Sequence, residues 1–186
     1  MASLLTHAYT ALVLGKCVTR KPWPWRFGFL LLGSAVLPDA DVIAFVLRVP
    51  YGSMFGHRGL SHSLCFAALW SWLVMVLEFK HVPKGSRAWW KVYALFFAAT
   101  ASHGVLDAMT NGGLGVAFFA PFDSTRYFFP WRPINVSPIS VRRFFSELGG
   151  EVLKSEFLYV WLPLTVVWVM VVLLRKIGRE GRETQA

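Results

Sequence analysis

Long apolar stretches separated by short polar segments form the main pattern along this chain. The apolar stretches fall at about residues 2–15, 27–49, 64–79, 92–110 and 157–174. Several of them approach the roughly 17 to 25 residues that a tilted helix needs to cross a bilayer. We therefore expect an all-α fold, an integral membrane bundle of about five hydrophobic helices, in which residues 1–186 form a single membrane-embedded domain.

The composition supports a membrane protein. Of the 186 residues, 55% are hydrophobic and only 16% are charged, whereas soluble domains carry roughly 25% charged residues. The first apolar stretch has no basic leading region, and no small-residue cleavage pattern follows it, so we do not expect a removable signal peptide. Cys17 and Cys65 are expected near opposite membrane faces, too far apart for a disulfide bond.

Basic residues give the net charge of +9 and predict the topology. Three groups lie between stretches one and two, between three and four, and after five: Lys16, Arg20, Lys21 and Arg26; Lys80, Lys84, Arg87 and Lys91; Arg175, Lys176, Arg179 and Arg182. By the positive-inside rule these segments, including a tail at 175–186, are cytoplasmic. The segments 50–63 and 111–156 then lie on the outer side of the cytoplasmic membrane. Because the basic residues form no single stripe and no recognition motif appears, we expect no nucleic-acid partner.

Seven ionisable residues in or beside the apolar stretches fall toward the predicted outer face. They are His7, Asp39, Asp41, His57, His62, His103 and Asp107. Ionisable side chains at membrane depth are costly and mark functional sites by default. His103 and Asp107 are four residues apart, so they share a helix face and can hold one cation together. Imidazole and carboxylate groups suit zinc, and less selectively manganese or iron.

Two points about these residues stay open at the sequence level. Asp39 and Asp41 would lie on opposite sides of a regular helix, but Pro38 disturbs that helix. Either one aspartate is a metal ligand and the other supports it, or the helix is unwound. For His103 and Asp107, a structural hydrogen-bonded pair between helices is the competing interpretation.

The loop between stretches two and three contains the sequence HRGLSH. Gly59 permits a tight turn there, and Ser61 is the expected cap of the following helix. Such a turn can direct His57 and His62 inward. Arg58 either binds an anionic group or extends to the lipid headgroups.

An aromatic segment with interspersed arginines covers residues 114–145 within the predicted outer segment. Aromatic side chains favour the headgroup level, and arginine binds phosphate through a bidentate fork, so this segment is expected to be interfacial. Arg126 and Arg132 are the candidate substrate-binding residues. A plug packed over the helix bundle is the alternative.

Several motifs resemble a known family. LPDADV, GHRGLSHS and SHGVLDAMTNGG, followed by APFDSTRYFFPWRPI, resemble the YdjM-like family of inner-membrane proteins, which are described as metal-dependent hydrolases. The order Asp, His, His-x-x-x-Asp is also similar to the metal-ligand order of the zinc-dependent phospholipase C and S1/P1 nuclease group, all-helical enzymes that hydrolyse phosphoesters. The chain lacks the further histidines and acidic partner that complete the three-metal cluster of that group.

The resemblance implies one metal site formed by Asp39 or Asp41 with His57, His103 and Asp107, to which His7 and His62 add, or with which they form a second. By their chemistry and number, the seven candidate ligands suit one or two zinc ions, with manganese or iron as substitutes.

These expectations combine into a membrane-embedded hydrolase that acts on a lipid or lipid-linked phosphoester at the outer face of the cytoplasmic membrane. The metal would activate water, and arginines would neutralise the phosphate charge. The candidate catalytic residues are Asp39, Asp41, His62 and Arg58. Two other functions stay open: a metal or proton transporter, and a non-catalytic scaffold whose metal holds the helices together.

Overall fold

The computed structural model describes residues 1–19 and 22–183, and the regular elements in these ranges are helices, with no strand. They are α1 (Leu4–Val18), α2 (Trp25–Val36), α3 (Ile43–Val46), α4 (Leu64–Glu78), α5 (Arg87–Ala108), α6 (Val141–Phe144), α7 (Glu147–Glu156) and α8 (Leu162–Glu183). The prediction of an all-α fold is confirmed. Two basic residues of the predicted topology, Arg20 and Lys21, lie outside the described ranges, as do residues 184–186 of the predicted tail.

Three tighter or wider turns connect these helices. A 3-10 segment, Leu37–Val42, joins α2 to α3, and a 3-10 turn, Leu60–His62, precedes α4. A π-helical turn, Phe157–Trp161, joins α7 to α8. The last helical run therefore begins at Glu147, ten residues before the predicted apolar stretch, and continues through most of the predicted tail.

Serine side chains cap three of the apolar helices at their N-termini. Ser3 accepts from the Thr6 amide in α1, Ser63 from the Phe66 amide in α4, and Ser86 from the Trp89 amide in α5. The expectation that Ser61 caps α4 is wrong, because its hydroxyl is bonded to Asp41 instead.

The apolar core lies where α1, α2, α4 and α5 pack together. Its buried residues are Ala11, Leu31, Ala35, Val74, Leu95, Phe96 and Ala99. Alanines allow the helix backbones to approach closely, as is common between helices in membranes.

Two helical runs are long and apolar enough to cross a membrane: Trp25–Val46 and Glu147–Gly178. The helices Leu4–Val18 and Leu64–Glu78 are apolar but shorter. α5 has 22 residues, but it includes ionisable residues that lower its hydropathy. By length and composition the described residues thus contain two candidate spans, and the five-helix membrane bundle stays a prediction.

α1 and the run α7–α8 lie side by side and point the same way. Glu156 meets the first turn of α1, where it accepts a hydrogen bond from the Ser3 amide at 2.5 Å. Arg175 meets the last turn of α1, where it donates to the Lys16 carbonyl at 3.2 Å. The first turn of α1 also meets the end of α5, because the Ala2 amide donates to Asp107 at 2.6 Å. Asp107 and the C-terminal end of α8 therefore lie at opposite ends of the bundle.

The segment between α5 and α6 folds back over the Asp107 end of the bundle. Val116 and Tyr127 exchange backbone hydrogen bonds of 2.9 Å, and Val116 and Ile134 are fully buried. Aromatic rings such as Phe122, which is 89% exposed, project outward. The buried part matches a plug over the bundle, and the interfacial position of the outward rings stays a prediction.

Candidate metal centre

The 3-10 segment after α2 brings both aspartates of LPDADV to one imidazole ring. In a 3-10 helix, side chains two residues apart differ by about 120° around the axis, compared with about 160° in an α-helix. Asp39 Oδ1 lies 3.8 Å from His62 Nε2, and Asp41 Oδ2 lies 3.1 Å from His62 Nδ1. The two carboxylates therefore face opposite nitrogens of His62.

Four buried residues form the first group of ligand candidates: Asp39, His62, His103 and Asp107. Asp39 Oδ1 lies 3.2 Å from His103 Nε2, and His62 Nε2 lies 3.6 Å from Asp107 Oδ2. A tetrahedral zinc ion with bonds of about 2.0 to 2.1 Å separates its ligand atoms by about 3.3 Å. The spacing between these atoms fits one such ion.

The atoms that face one another in this group lack hydrogen-bond partners. Both Asp39 oxygens, His62 Nε2, His103 Nε2 and Asp107 Oδ2 are buried and without a hydrogen bond among the described residues. Buried polar atoms are nearly always satisfied, since leaving them unpaired is costly. One cation between these atoms would satisfy Asp39, His62 and His103, whereas Asp107 Oδ2 already lies 2.9 Å from Arg58 Nε.

His103 is oriented by the helix that packs against α5. Its Nδ1 lies 2.7 Å from the Ala35 carbonyl oxygen. A carbonyl only accepts, so Nδ1 carries the proton and the Nε2 lone pair faces Asp39. His103 thus contacts Ala35 and Asp39, whereas Asp107 contacts Ala2 and Arg58.

A second group, formed by Asp41, His57 and His62, surrounds the other side of His62. Asp41 lies 2.6 Å from His57 Nδ1, and it accepts from the Ser61 hydroxyl at 2.5 Å and from the Arg58 amide at 3.1 Å. A carboxylate that bonds the far nitrogen of a ligand histidine typically fixes its orientation and raises its basicity. The geometry therefore favours Asp39 as a ligand, whereas Asp41 and the Ser61 hydroxyl, which lies 3.0 Å from His62 Nδ1, orient His62. His57 lies beside Asp41 and outside the first group.

His62 is strongly perturbed by its carboxylate neighbours. Burial opposes its charged form, but the carboxylates of Asp107, Asp39 and Asp41 around the ring outweigh burial and raise the pKa of His62 to about 10. A divalent cation would displace this proton, because a histidine ligand binds in its neutral form.

Arg58 compensates the charge of Asp107 inside the bundle. Its Nε lies 2.9 Å from Asp107 Oδ2, and its Nη atoms donate to Thr110 Oγ1 at 3.0 Å and to the Gly112 carbonyl at 2.8 Å. The side chain is fully buried. The interpretation that Arg58 extends to the headgroups is therefore wrong, since an internal carboxylate holds its guanidinium.

Two glycines permit the close packing around the centre. A Cβ on Gly104 would lie 2.8 Å from the His62 carbonyl oxygen. Gly113 has a φ of +89°, and a Cβ there would lie 2.7 Å from Arg58 Nη1. The turn that carries His62 can thus lie directly against α5, between His103 and Asp107.

His7 lies beside the first group. It is fully buried, its ring stacks on that of His103 with centroids 3.6 Å apart, and its Nε2 is 3.5 Å from Asp107 Oδ1. Neither ring nitrogen has a hydrogen-bond partner among the described residues. His7 is thus placed to add to the centre from α1.

The two candidate substrate arginines lie away from the carboxylates. Arg126 donates to the backbone carbonyls of His57, Tyr51 and Ser53 at 2.8 to 3.0 Å, so it holds the loop that covers the site. Arg132 is exposed and lies 4.7 Å above the Phe128 ring. The structure brings the seven predicted ligand residues together and leaves both arginines at the periphery.

Two contacting groups were absent from the predicted set. Ser61 supports Asp41, and its only sequence signal is its position beside His62. The Ala35 carbonyl orients His103, and a backbone carbonyl leaves no signal in the sequence.

Comparison with known proteins identifies the family of this chain. The profile of the YdjM inner membrane protein family matches residues 1–178. The chain belongs to this family. One relative of this YdjM-family chain is inner membrane protein YbcI of Escherichia coli (strain K12), which is 38% identical over 164 residues, or 88% of this chain and 92% of YbcI. No solved structure matches the chain. Both names describe a location in the inner membrane, and neither describes a reaction.

Proposed function

We propose that this YdjM-family protein is a membrane-embedded, metal-dependent hydrolase, with zinc as the preferred ion. The observation that carries the proposal is the first group, in which two carboxylates and two imidazoles converge through buried atoms without hydrogen-bond partners. Aspartate and histidine are suitable ligands for zinc, and also for manganese and iron.

Asp39, His62 and His103 would hold the ion, and they are themselves held by groups around them. Asp41 orients His62 and the Ala35 carbonyl orients His103. Bound zinc supplies an acidified water as the nucleophile at neutral pH. Arg58 Nε lies 2.9 Å from Asp107 Oδ2, so Asp107 would stay ionised and would orient that water as a hydrogen-bond acceptor.

The proposed substrate is a lipid or lipid-linked phosphoester at the outer face of the cytoplasmic membrane. The exposed aromatic rings of the segment after α5, together with Arg132, Arg142 and Arg143, would lie at the headgroups. The bundle would be multi-pass, with the C-terminal end of α8 in the cytoplasm, because that end carries basic residues and lies opposite the metal centre.

A structural metal scaffold is the second candidate function. Structural zinc sites use four protein ligands, whereas catalytic sites use three and keep one position for water. All four residues of the first group are buried, and a closed site of this kind would use Asp107 as the fourth ligand. A transporter is less favoured, since the seven candidate residues gather at one end of the bundle.

The test compares wild type with Asp39→Asn, Asp107→Asn and the exposed control Asp123→Asn, each purified in detergent and reconstituted with zinc. If the protein is a hydrolase, Asp39→Asn should lose the metal. Asp107→Asn should keep the metal but no longer hydrolyse a chromogenic phosphodiester or phospholipid in vesicles. If Asp107→Asn also loses the metal and wild type hydrolyses neither substrate, the scaffold is the better description. A wild-type protein that binds no zinc contradicts both.

A further inference from the structure

A buried carboxylate outside the metal centre ties the C-terminal helices to α1. Glu156 is fully buried at the end of α7. It accepts hydrogen bonds from the Ser3 amide at 2.5 Å, from the Ser3 hydroxyl at 2.6 Å and from the Thr6 hydroxyl at 2.8 Å. The Met1 ammonium group adds a favourable electrostatic interaction with Glu156. A buried charge requires such bonds, so this arrangement strongly restrains both partners.

The position of Glu156 matches the electrostatics of α1. The first amides of a helix have no partner within the helix, and the N-terminus carries partial positive charge. The local cap is weak, because Ser3 Oγ lies 3.3 Å from the Thr6 amide. The Glu156 carboxylate therefore supplies a negative group at the start of α1, beside the Asp107 carboxylate that accepts from the Ala2 amide.

The hydroxyl of Thr6 connects this cap to the π-helical turn. It accepts from the Trp161 indole N–H at 2.7 Å and donates to Glu156 at 2.8 Å. Both partners come from the run α7–α8. The first turn of α1 is thus attached to that run at two adjacent points.

The same turn of α1 reaches the metal centre on its other side. The Ala2 amide donates to Asp107 Oδ1 at 2.6 Å, and His7 lies 3.5 Å from that oxygen while stacking on His103. One helical turn therefore lies between two buried carboxylates, Glu156 and Asp107.

We propose that Glu156 is a positioning residue that holds the first turn of α1 so that His7 stays against His103 and Asp107. Its effect on metal affinity rests on the proposed zinc centre, whereas its effect on His7 does not. Glu156 itself contacts neither group of ligand candidates through the bonds described above.

The test uses the full-length protein in detergent, free of metal, with histidines labelled for NMR. The Hε1 signal of His7 is assigned by its loss in His7→Gln, and its stacking on His103 gives it a ring-current shift. We expect Glu156→Ala to move this signal toward that of an unstacked imidazole, and Glu156→Gln to move it less, because the amide keeps one acceptor oxygen. Glu151→Gln is the matched control, since Glu151 is an exposed residue of α7.

A zinc titration of the same variants gives the second readout. If the wild type binds zinc, Glu156→Ala should weaken binding by about 10- to 100-fold, the usual effect of losing an outer partner of a metal site. Thr6→Val, which removes one bond to Glu156, serves if Glu156→Ala does not fold, and it should shift His7 in the same direction. An unchanged His7 signal in the folded variants would overturn the proposal. A wild type without zinc affinity would contradict the proposed hydrolase and the metal scaffold, and the His7 signal would still decide the positioning role of Glu156.

Discussion

Replacing Asp39 and Asp41 separately by asparagine tests the division of roles between the two aspartates. Asp41 contacts His57 Nδ1 at 2.6 Å, Ser61 Oγ at 2.5 Å and His62 Nδ1 at 3.1 Å. Asp41→Asn keeps the shape and one oxygen, so His62 stays near its position but loses a charged partner. Asp39→Asn removes a carboxylate whose oxygens have no hydrogen-bond partner among the described residues.

The expected magnitudes differ accordingly. Loss of an outer partner lowers metal affinity by about 10- to 100-fold, which corresponds to about 1.4 to 2.7 kcal/mol. Asp41→Asn should therefore still bind zinc at raised concentration, whereas Asp39→Asn should bind none under the same conditions. Competition with a chromophoric zinc chelator in detergent measures both dissociation constants, and elemental analysis checks the stoichiometry.

The control is Asp123→Asn, since Asp123 is exposed and bonds only locally to Thr125 and Tyr127. If both site variants lose zinc to the same degree, Asp41 is a ligand and the assignment is wrong. If Asp41→Asn binds zinc as tightly as wild type, Asp41 does not tune His62.

Three further predictions concern packing around His62, stabilisation of the folded protein by bound zinc, and the pH dependence of zinc affinity. Gly104→Ala places a Cβ 2.8 Å from the His62 carbonyl oxygen and should lower both the melting temperature and the zinc affinity. The control Gly33→Ala, at a position with open space around it, should leave the zinc affinity unchanged. Equal zinc affinities of the two variants would contradict the packing argument. Zinc at 100 times its dissociation constant should stabilise wild type by about 2.7 kcal/mol, seen as a higher melting temperature, and a similar increase in His103→Ala would show binding elsewhere. Because the metal-free site raises the pKa of His62 to about 10, this residue is protonated at neutral pH. Zinc must displace that proton, so zinc affinity should rise with pH by up to about tenfold per pH unit. A zinc affinity that stays constant in calorimetric titrations between pH 6 and 8 would refute proton displacement.

The helices could be predicted because local hydrophobicity determines them. α1, α4 and α5 overlap the apolar stretches at 2–15, 64–79 and 92–110. The start of the last helical run was missed, because α7 contains two glycines and several polar residues and joins α8 through a π-helical turn. Such a turn depends on tertiary contacts and leaves no pattern of hydrophobic residues.

The candidate ligands could also be predicted, since ionisable residues in apolar stretches are rare. Their roles could not. The difference between Asp39 and Asp41 depends on a 3-10 segment and on which His62 nitrogen each carboxylate faces. Arg126 binds carbonyls 69 to 75 residues away in the chain, and pairings of this kind are invisible in a single sequence.

The attachment of α1 at both ends by the run α7–α8 has a consequence for how the protein is made. Glu156 and Ser3 are 153 residues apart in the chain, and synthesis proceeds from the N-terminus. A nascent chain that ends before Glu156 already contains the four residues of the first group, and its first helix can be held by Asp107 but not yet by Glu156. The contacts that hold both ends of α1 are therefore complete only after the last helices have left the ribosome, although His7 is among the first residues made.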